Sequence, residues 1–270
     1  MRPQTRRAIG NYWPFTDVYN PEGGSTDMTS IGFQLYSLHG VDDSLPTVIE
    51  RVGETDFEGV ELAGLDEQDP NTIAEALDTA GLELAGAHVG LEELEEDVDT
   101  VAETYRELGC EDVVVPWLDP EQFSSVDAVE SVAERLEAVS ADLENHDLSL
   151  HYHNHNQEFV ELGGEPALST LMAETETIGF ELDLGWVGAA GYDPLPYLDD
   201  HSDRVTIVHL KDYDAETGDV VEVGDGDLDV EAAVEAVRGH GIEWLVYEAE
   251  ERPDSYGTLD HAADVVETHW

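Results

Sequence analysis

From residue 31 onward the apolar positions follow one rhythm: a short strand-forming run, a few turn residues, then a longer stretch with apolar residues three and four apart. The runs predict strands over 31–37, 57–62, 83–88, 112–117, 148–154, 178–183, 205–210 and 243–248. The stretches between them predict helices near 43–53, 70–80, 92–108, 125–145, 165–175, 194–201, 229–239 and 257–268. Acidic residues and proline open several helices, as at Asp69-Pro70 and Asp193-Pro194, and glycine closes others, as at Gly53, Gly81, Gly109 and Gly241. Eight strand–helix units in about 240 residues predict an α/β fold, a single closed (β/α)8 TIM barrel. A doubly wound sheet would place a glycine-rich phosphate turn after the first strand. That position reads Gln34-Leu35-Tyr36-Ser37-Leu38, and no composition break divides 31–270.

The polar residues on these strands locate the chemistry. Alternate residues of a barrel strand point inward, and functional groups gather at the strands' C-terminal ends. Strand five reads Leu148-Ser149-Leu150-His151-Tyr152-His153-Asn154-His155, so three histidines share one parity at spacings of roughly 6.6 Å. Strand six ends in Glu181-Leu182-Asp183, strand seven in His209-Leu210-Lys211-Asp212, strand eight in Tyr247-Glu248. One such residue is ordinarily a hydrogen-bonded or solvated polar group. Four neighbouring strands ending this way bring mixed imidazole and carboxylate donors within reach of one ion. Such a set suits Mn, Fe, Co, Ni or Zn, whereas an all-oxygen cage suits Mg or Ca.

Lys211 is the only lysine in the chain. It reads as a substrate contact that holds a hydroxyl or stabilises an enediolate oxyanion, or else as a barrel-top ion pair with Asp212 or Asp183. His88, Glu61 and Gln34, at the ends of strands three, two and one, are candidate substrate contacts. Trp186 and Trp117 read as an apolar wall for a sugar ring or as core under the loops. His39, His146, His201, His240, His261 and His269 fall on helices or loops and read as surface residues. Gly224-Asp225-Gly226-Asp227 lacks the lysine of a phosphate loop and reads as a loop able to move over the site.

Charge then changes the picture of the surroundings. There are 64 Asp and Glu against 10 Lys and Arg, a formal net charge of -54. The acids interleave with apolar residues, as in Val101-Ala102-Glu103-Thr104-Tyr105-Arg106-Glu107-Leu108, which fits a folded surface. Self-repulsion on that surface is severe at low salt and tolerable near 1 M, where the screening length is about 3 Å. The chain therefore reads as a halophile's cytoplasmic protein. The acidity excludes nucleic acid and anionic membrane as partners, and no run of 18 apolar residues offers a spanning helix. Cys110 is the single cysteine, read as core filler in a reducing compartment. Residues 1–27 lack apolar periodicity and read as a disordered extension, leaving 28–270 as the barrel domain. Whether the chain forms a homo-oligomer stays open.

Three segments together carry a family resemblance: Tyr152-His153-Asn154-His155-Asn156-Gln157-Glu158-Phe159, Glu181-Leu182-Asp183-Leu184-Gly185-Trp186 and Val208-His209-Leu210-Lys211-Asp212. With Gln34-Leu35-Tyr36-Ser37 and Ala87-His88-Val89-Gly90, they resemble the xylose-isomerase-like barrels, and within them the sugar phosphate isomerase/epimerase branch. The resemblance implies a carbohydrate substrate, one divalent ion (Mn, Co, Zn, Fe or Mg) and an isomerase or epimerase acting through a metal-stabilised enediolate. It implies Asp183, His209 and Glu248 as ligands. On strand five, where the epimerases have glutamate, this chain has His153. Either His153 ligates, or the chain bends back and Glu158 does; Glu158 is favoured, leaving His153 and His155 as acid/base candidates beside Lys211 and Glu248. Loss of the strand-five glutamate also brings in a lyase of the inosose or 3-keto-sugar type as the alternative reaction. A sugar-binding barrel without activity is the remote alternative.

Overall fold

Eight apolar runs pair side by side and close into one parallel barrel, described here from a computed structural model covering residues 29–66, 68–250 and 252–270. The strands are Ser30–Gln34, Gly59–Leu62, Glu83–His88, Asp112–Val115, Ser149–His153, Gly179–Asp183, Val205–Leu210 and Trp244–Tyr247. Each pairs with its sequence neighbour, and the first pairs with the last, from Ser30 opposite Trp244 to Phe33 opposite Tyr247. The eight predicted strands and the single (β/α)8 architecture are thus present. The expected disordered extension over residues 1–27 lies outside the described residues.

Helices lie between successive strands and cover the barrel's outer face. Asp69 opens the helix Pro70–Ala80 by accepting a hydrogen bond from the Asn71 backbone, and Gly81 closes it at φ 72° in the left-handed region that suits glycine. Gly53 serves differently. Its φ is −64°, and a Cβ there would come within 2.7 Å of the Ala80 side chain, so its small size lets two helices meet. Among the described residues no helix is long and apolar enough to cross a membrane.

Two features were not legible as regular elements. Short hairpins, Glu161–Leu162 with Glu165–Pro166 and Asp212–Tyr213 with Val220–Val221, interrupt the loops after strands five and seven. A six-residue helix, Leu184–Ala189, starts directly from the end of strand six. Cys110 is buried, with its thiol donating to the Asp112 carbonyl.

The barrel interior is layered, and this layering positions the site. Ala85, Val114, Ile207, Trp244 and Val246 form an apolar plug. A Cβ on Gly59 would strike the Trp244 ring at 2.7 Å, so the bare backbone there admits the indole. Above the plug the interior turns polar.

Candidate active site

Two irregularities in the barrel fall at its inward-facing acids. The register shifts between Val60 and Glu61 on strand two, and between Phe180 and Glu181 on strand six. A shift of this kind re-aims side chains at a ladder. Glu61 and Glu181 are both fully buried.

These acids build a deep layer with three imidazoles. Glu181 Oε2 lies 2.9 Å from His88 Nε2, 2.9 Å from His153 Nδ1 and 3.2 Å from His209 Nε2. Glu61 Oε2 lies 2.7 Å from His209 Nε2 and accepts from Gln34 Nε2 at 2.6 Å. Burial alone would lower the His88 pKa, but Glu61 and Glu181 outweigh it and hold the imidazole up at about 10. Burial likewise opposes charge on Glu181, yet His209 and His88 keep its carboxyl well below the usual range.

An upper layer forms at the strand ends. His153 Nε2 and His209 Nδ1 point there, 4.0 Å and 3.9 Å from Asp183 Oδ2, and Glu248 Oε2 lies 2.8 Å from His209 Nδ1. Asp183 opens the helix Leu184–Ala189: its Oδ1 accepts from the Trp186 backbone at 2.8 Å. Asn154 grips the Asp183 backbone on both sides, accepting from its N–H at 3.1 Å and donating to its carbonyl at 3.4 Å. Asp183 Oδ2 remains a buried oxygen without a hydrogen bond. Burial pushes the Asp183 pKa up, against the pull of Lys211.

Lys211, 1% exposed, reaches this layer from above. Its Nζ lies 3.3 Å from Asp183, 2.9 Å from Glu248 and 2.8 Å from Glu250, and 5.1 Å from the Trp186 ring centre. Burial would discharge it, but the carboxylates raise its pKa instead. His155 packs edge-on to His153 at 4.9 Å and beside Trp186 at 5.3 Å. Burial and the nearby His153 and Lys211 push its pKa down to about 2, so the ring stays neutral, and its buried Nδ1 has no partner.

His153, Asp183, His209 and Glu248 offer ligand atoms all within 4.8 Å of one another. The Asp183 oxygen without a hydrogen bond and the mixed imidazole–carboxylate donors fit a divalent transition metal. Glu158, the favoured strand-five ligand, is placed otherwise. Its oxygens accept from Tyr152 Oη at 2.6 Å and from the His155 backbone at 2.9 Å, so it fastens the turn carrying His155. Burial raises its pKa to about 7. Strand five thus presents His153 to the ligand group.

The other expected contacts divide. His88 is partly open, at 11% side-chain exposure. Gln34 and Glu61 are fully buried and bonded to each other, to His88 or to His209, in the layer below the strand-end group. Trp117 is 49% exposed, so it is not core. The Gly224–Asp227 segment is tied down, because the Asp212 carboxylate accepts from the backbones of Tyr213, Gly224, Gly226 and Leu228 at 2.8–3.0 Å. Glu181, Glu250 and Asn154 were not singled out from sequence. Strand parity carried a signal for Glu181, which shares its face with Asp183; Glu250 lies past the strand end, where parity is silent.

Residues 49–268 match the family described as the xylose isomerase-like TIM barrel. Among curated proteins, inosose dehydratase of Salmonella agona is 25% identical over 265 residues, covering 83% of this chain and 87% of its own length. Among solved structures, a sugar phosphate isomerase/epimerase from Parabacteroides distasonis superposes with TM-score 0.77 at 20% identity, covering 89% of this chain and 97% of that one. The E. coli 3-keto-D-glucoside 4-epimerase superposes with TM-score 0.66 at 18% identity, over 89% of this chain and 98% of its own.

Proposed function

Since the chain belongs to the xylose isomerase-like TIM barrel family, we propose that it is a metal-dependent enzyme that moves a proton on the carbon beside a keto group of a sugar or cyclitol. The observation that carries this reading is the upper group of His153, Asp183, His209 and Glu248 at the strand ends, with Asp183 Oδ2 buried and without a hydrogen bond. A divalent cation held there supplies Lewis acidity toward a carbonyl oxygen.

The chain's own residues do the rest. Trp186 offers an apolar face flanked by His155 and Lys211. Lys211 carries a positive charge where negative charge develops on a substrate oxygen, and its place among three carboxylates fixes that charge before substrate arrives. His155 stays neutral and its buried Nδ1 lacks a hydrogen bond, so it can accept one from a substrate hydroxyl, whereas a ring held near pKa 2 is a weak base toward carbon. His88 keeps 11% of its side chain exposed. Tyr152 and Glu158 hold the turn that aims His155.

Two reactions share this first step. In an isomerase or epimerase the proton returns to carbon; in a lyase a neighbouring hydroxyl leaves as water. The likeness to inosose dehydratase and the imidazole on strand five favour the lyase, while the 3-keto-glucoside epimerase neighbour favours proton return. Both reactions are tested by incubating metal-loaded protein with an inosose and with a 3-keto-sugar in heavy water. Deuterium in a product of unchanged composition identifies the isomerase, and an irreversible ultraviolet change with water loss identifies the lyase. Unchanged substrate in both mixtures argues for a non-catalytic sugar-binding barrel.

A further inference from the structure

The deep layer has no task in the chemistry above, yet its geometry is tighter than that of the upper group. Glu181 Oε2 stands 2.9, 2.9 and 3.2 Å from the nitrogens of His88, His153 and His209. With metal–nitrogen and metal–oxygen bonds of about 2.0–2.2 Å, ligand atoms at right angles around one cation stand about 2.8–3.1 Å apart, close to those separations, and all four donors lie within 4.8 Å of one another. We propose that His88, His153, Glu181 and His209 hold a second divalent cation, one layer below the first.

The two positions use different atoms of the shared histidines. His153 turns Nε2 to Asp183 and Nδ1 to Glu181. His209 turns Nδ1 to Glu248 and Nε2 to Glu181 and Glu61. Each ring therefore reaches both layers without moving, and with an ion on each nitrogen it would bridge them as an imidazolate, its N–H proton released to solvent. His153 Nδ1 and one oxygen each of Glu61 and Glu181 are buried without a hydrogen bond. Buried polar atoms without a hydrogen bond are rare and costly, and a cation among the three in this layer would give His153 Nδ1 a ligand bond and the two carboxylates a counter-charge. A Cβ on Gly86 would lie 3.0 Å from that Glu61 oxygen, so the bare backbone keeps space beside it.

Glu61, Glu181, Asp183 and Glu248 are all buried. Of these four, Lys211 pairs with Asp183 and Glu248, so a cation in the deep layer supplies positive charge beside Glu61 and Glu181. Its entry displaces the protons that the imidazoles share with Glu61 and Glu181, so binding releases protons to solvent. An imidazole-rich N3O set suits Zn or Co over Mg or Ca.

The inference rests on the proposed upper site for its shared histidines, so the test separates the two. Cobalt(II) is loaded to saturation in molar salt and counted per chain in wild type, His88→Gln, Glu181→Gln and Asp183→Asn, with folding checked by circular dichroism. The expected result is two ions in wild type and one in His88→Gln and in Glu181→Gln. Asp183→Asn reads the upper position alone and also keeps one. A single ion in wild type, or two in a folded His88→Gln, overturns the proposal. In the first case Glu181 instead backs His153 as a hydrogen-bonded orienting group, and the upper site stands or falls by Asp183→Asn.

Discussion

Replacing Lys211 by Met removes the one buried ammonium while roughly preserving its volume. It leaves Asp183 and Glu248, both buried, without the cation that lies 3.3 and 2.9 Å from them. Breaking a buried ion pair from one side costs about 3–5 kcal/mol, because the abandoned charge stays in a poor solvent. The abandoned group can escape by taking up a proton. Asp183, whose pKa burial already raises, is the group that does so. Protonating an ordinary aspartate at pH 7 costs about 4 kcal/mol, at 1.36 kcal/mol for each unit above a pKa of about 3.9. That figure caps the loss at neutral pH and brings it to roughly 1.5 kcal/mol at pH 5. The sign follows from the raised folded-state pKa in the variant: its relative stability is highest at low pH and falls as pH rises toward 7. For a barrel of this size, about 4 kcal/mol lowers the melting temperature by roughly 8–16 °C. Thermal unfolding of chelator-treated Lys211→Met and wild type, followed by circular dichroism in molar salt at pH 7 and pH 5, measures it. A loss under about 1 kcal/mol at pH 7, or an equal loss at both pH values, refutes the reasoning. Added divalent cation should shrink the difference, because it compensates the same two carboxylates.

Other consequences are open to direct measurement. Asp212→Ala removes an acceptor of four backbone N–H groups; amide exchange at Gly224, Gly226 and Leu228 should accelerate by at least 10-fold, equivalent to about 1.4 kcal/mol of local stability. Burial raises the Cys110 thiol to about 12, so the folded protein should resist alkylation at pH 9–10 while denatured protein reacts at once. The raised thiol pKa contributes stability below the unfolded value near 9, and that contribution is lost as pH climbs toward 12. Prompt labelling of folded protein would contradict that burial. The net charge of -54 predicts a melting temperature that rises between 0.1 and 2 M KCl as screening shortens from about 10 Å to below 3 Å; a flat or falling curve speaks against a surface adapted to salt.

The barrel was legible because its signal is local and repeated: each strand is a short apolar run, and each helix carries its own period and caps. The upper site was legible for a related reason. Inward parity and strand ends are sequence properties, so Asp183, His209, Lys211 and Glu248 could be placed together before any coordinates. Glu158 shows where this stops. Its identity fitted a ligand, but the turn after His153 directs its carboxylate to Tyr152 and the His155 backbone, a tertiary choice no spacing records. Depth was not legible for Glu61 and Gln34: the register shift at Val60/Glu61 and their mutual hydrogen bond set them in the layer below. The glycine-rich loop was read from composition as mobile, whereas one carboxylate, Asp212, holds it through four backbone groups.

The central claim is that the strand ends hold a catalytic divalent ion through His153, Asp183, His209 and Glu248. Metal analysis of protein purified and dialysed in molar salt tests it most directly, with wild type, Asp183→Asn and His209→Ala compared on equally folded samples. The account predicts stoichiometric divalent ion in wild type, one ion fewer in Asp183→Asn, and none in His209→Ala, whose two ring nitrogens serve both layers. Wild type that holds no divalent ion, or an Asp183→Asn variant that retains the full wild-type content, contradicts it.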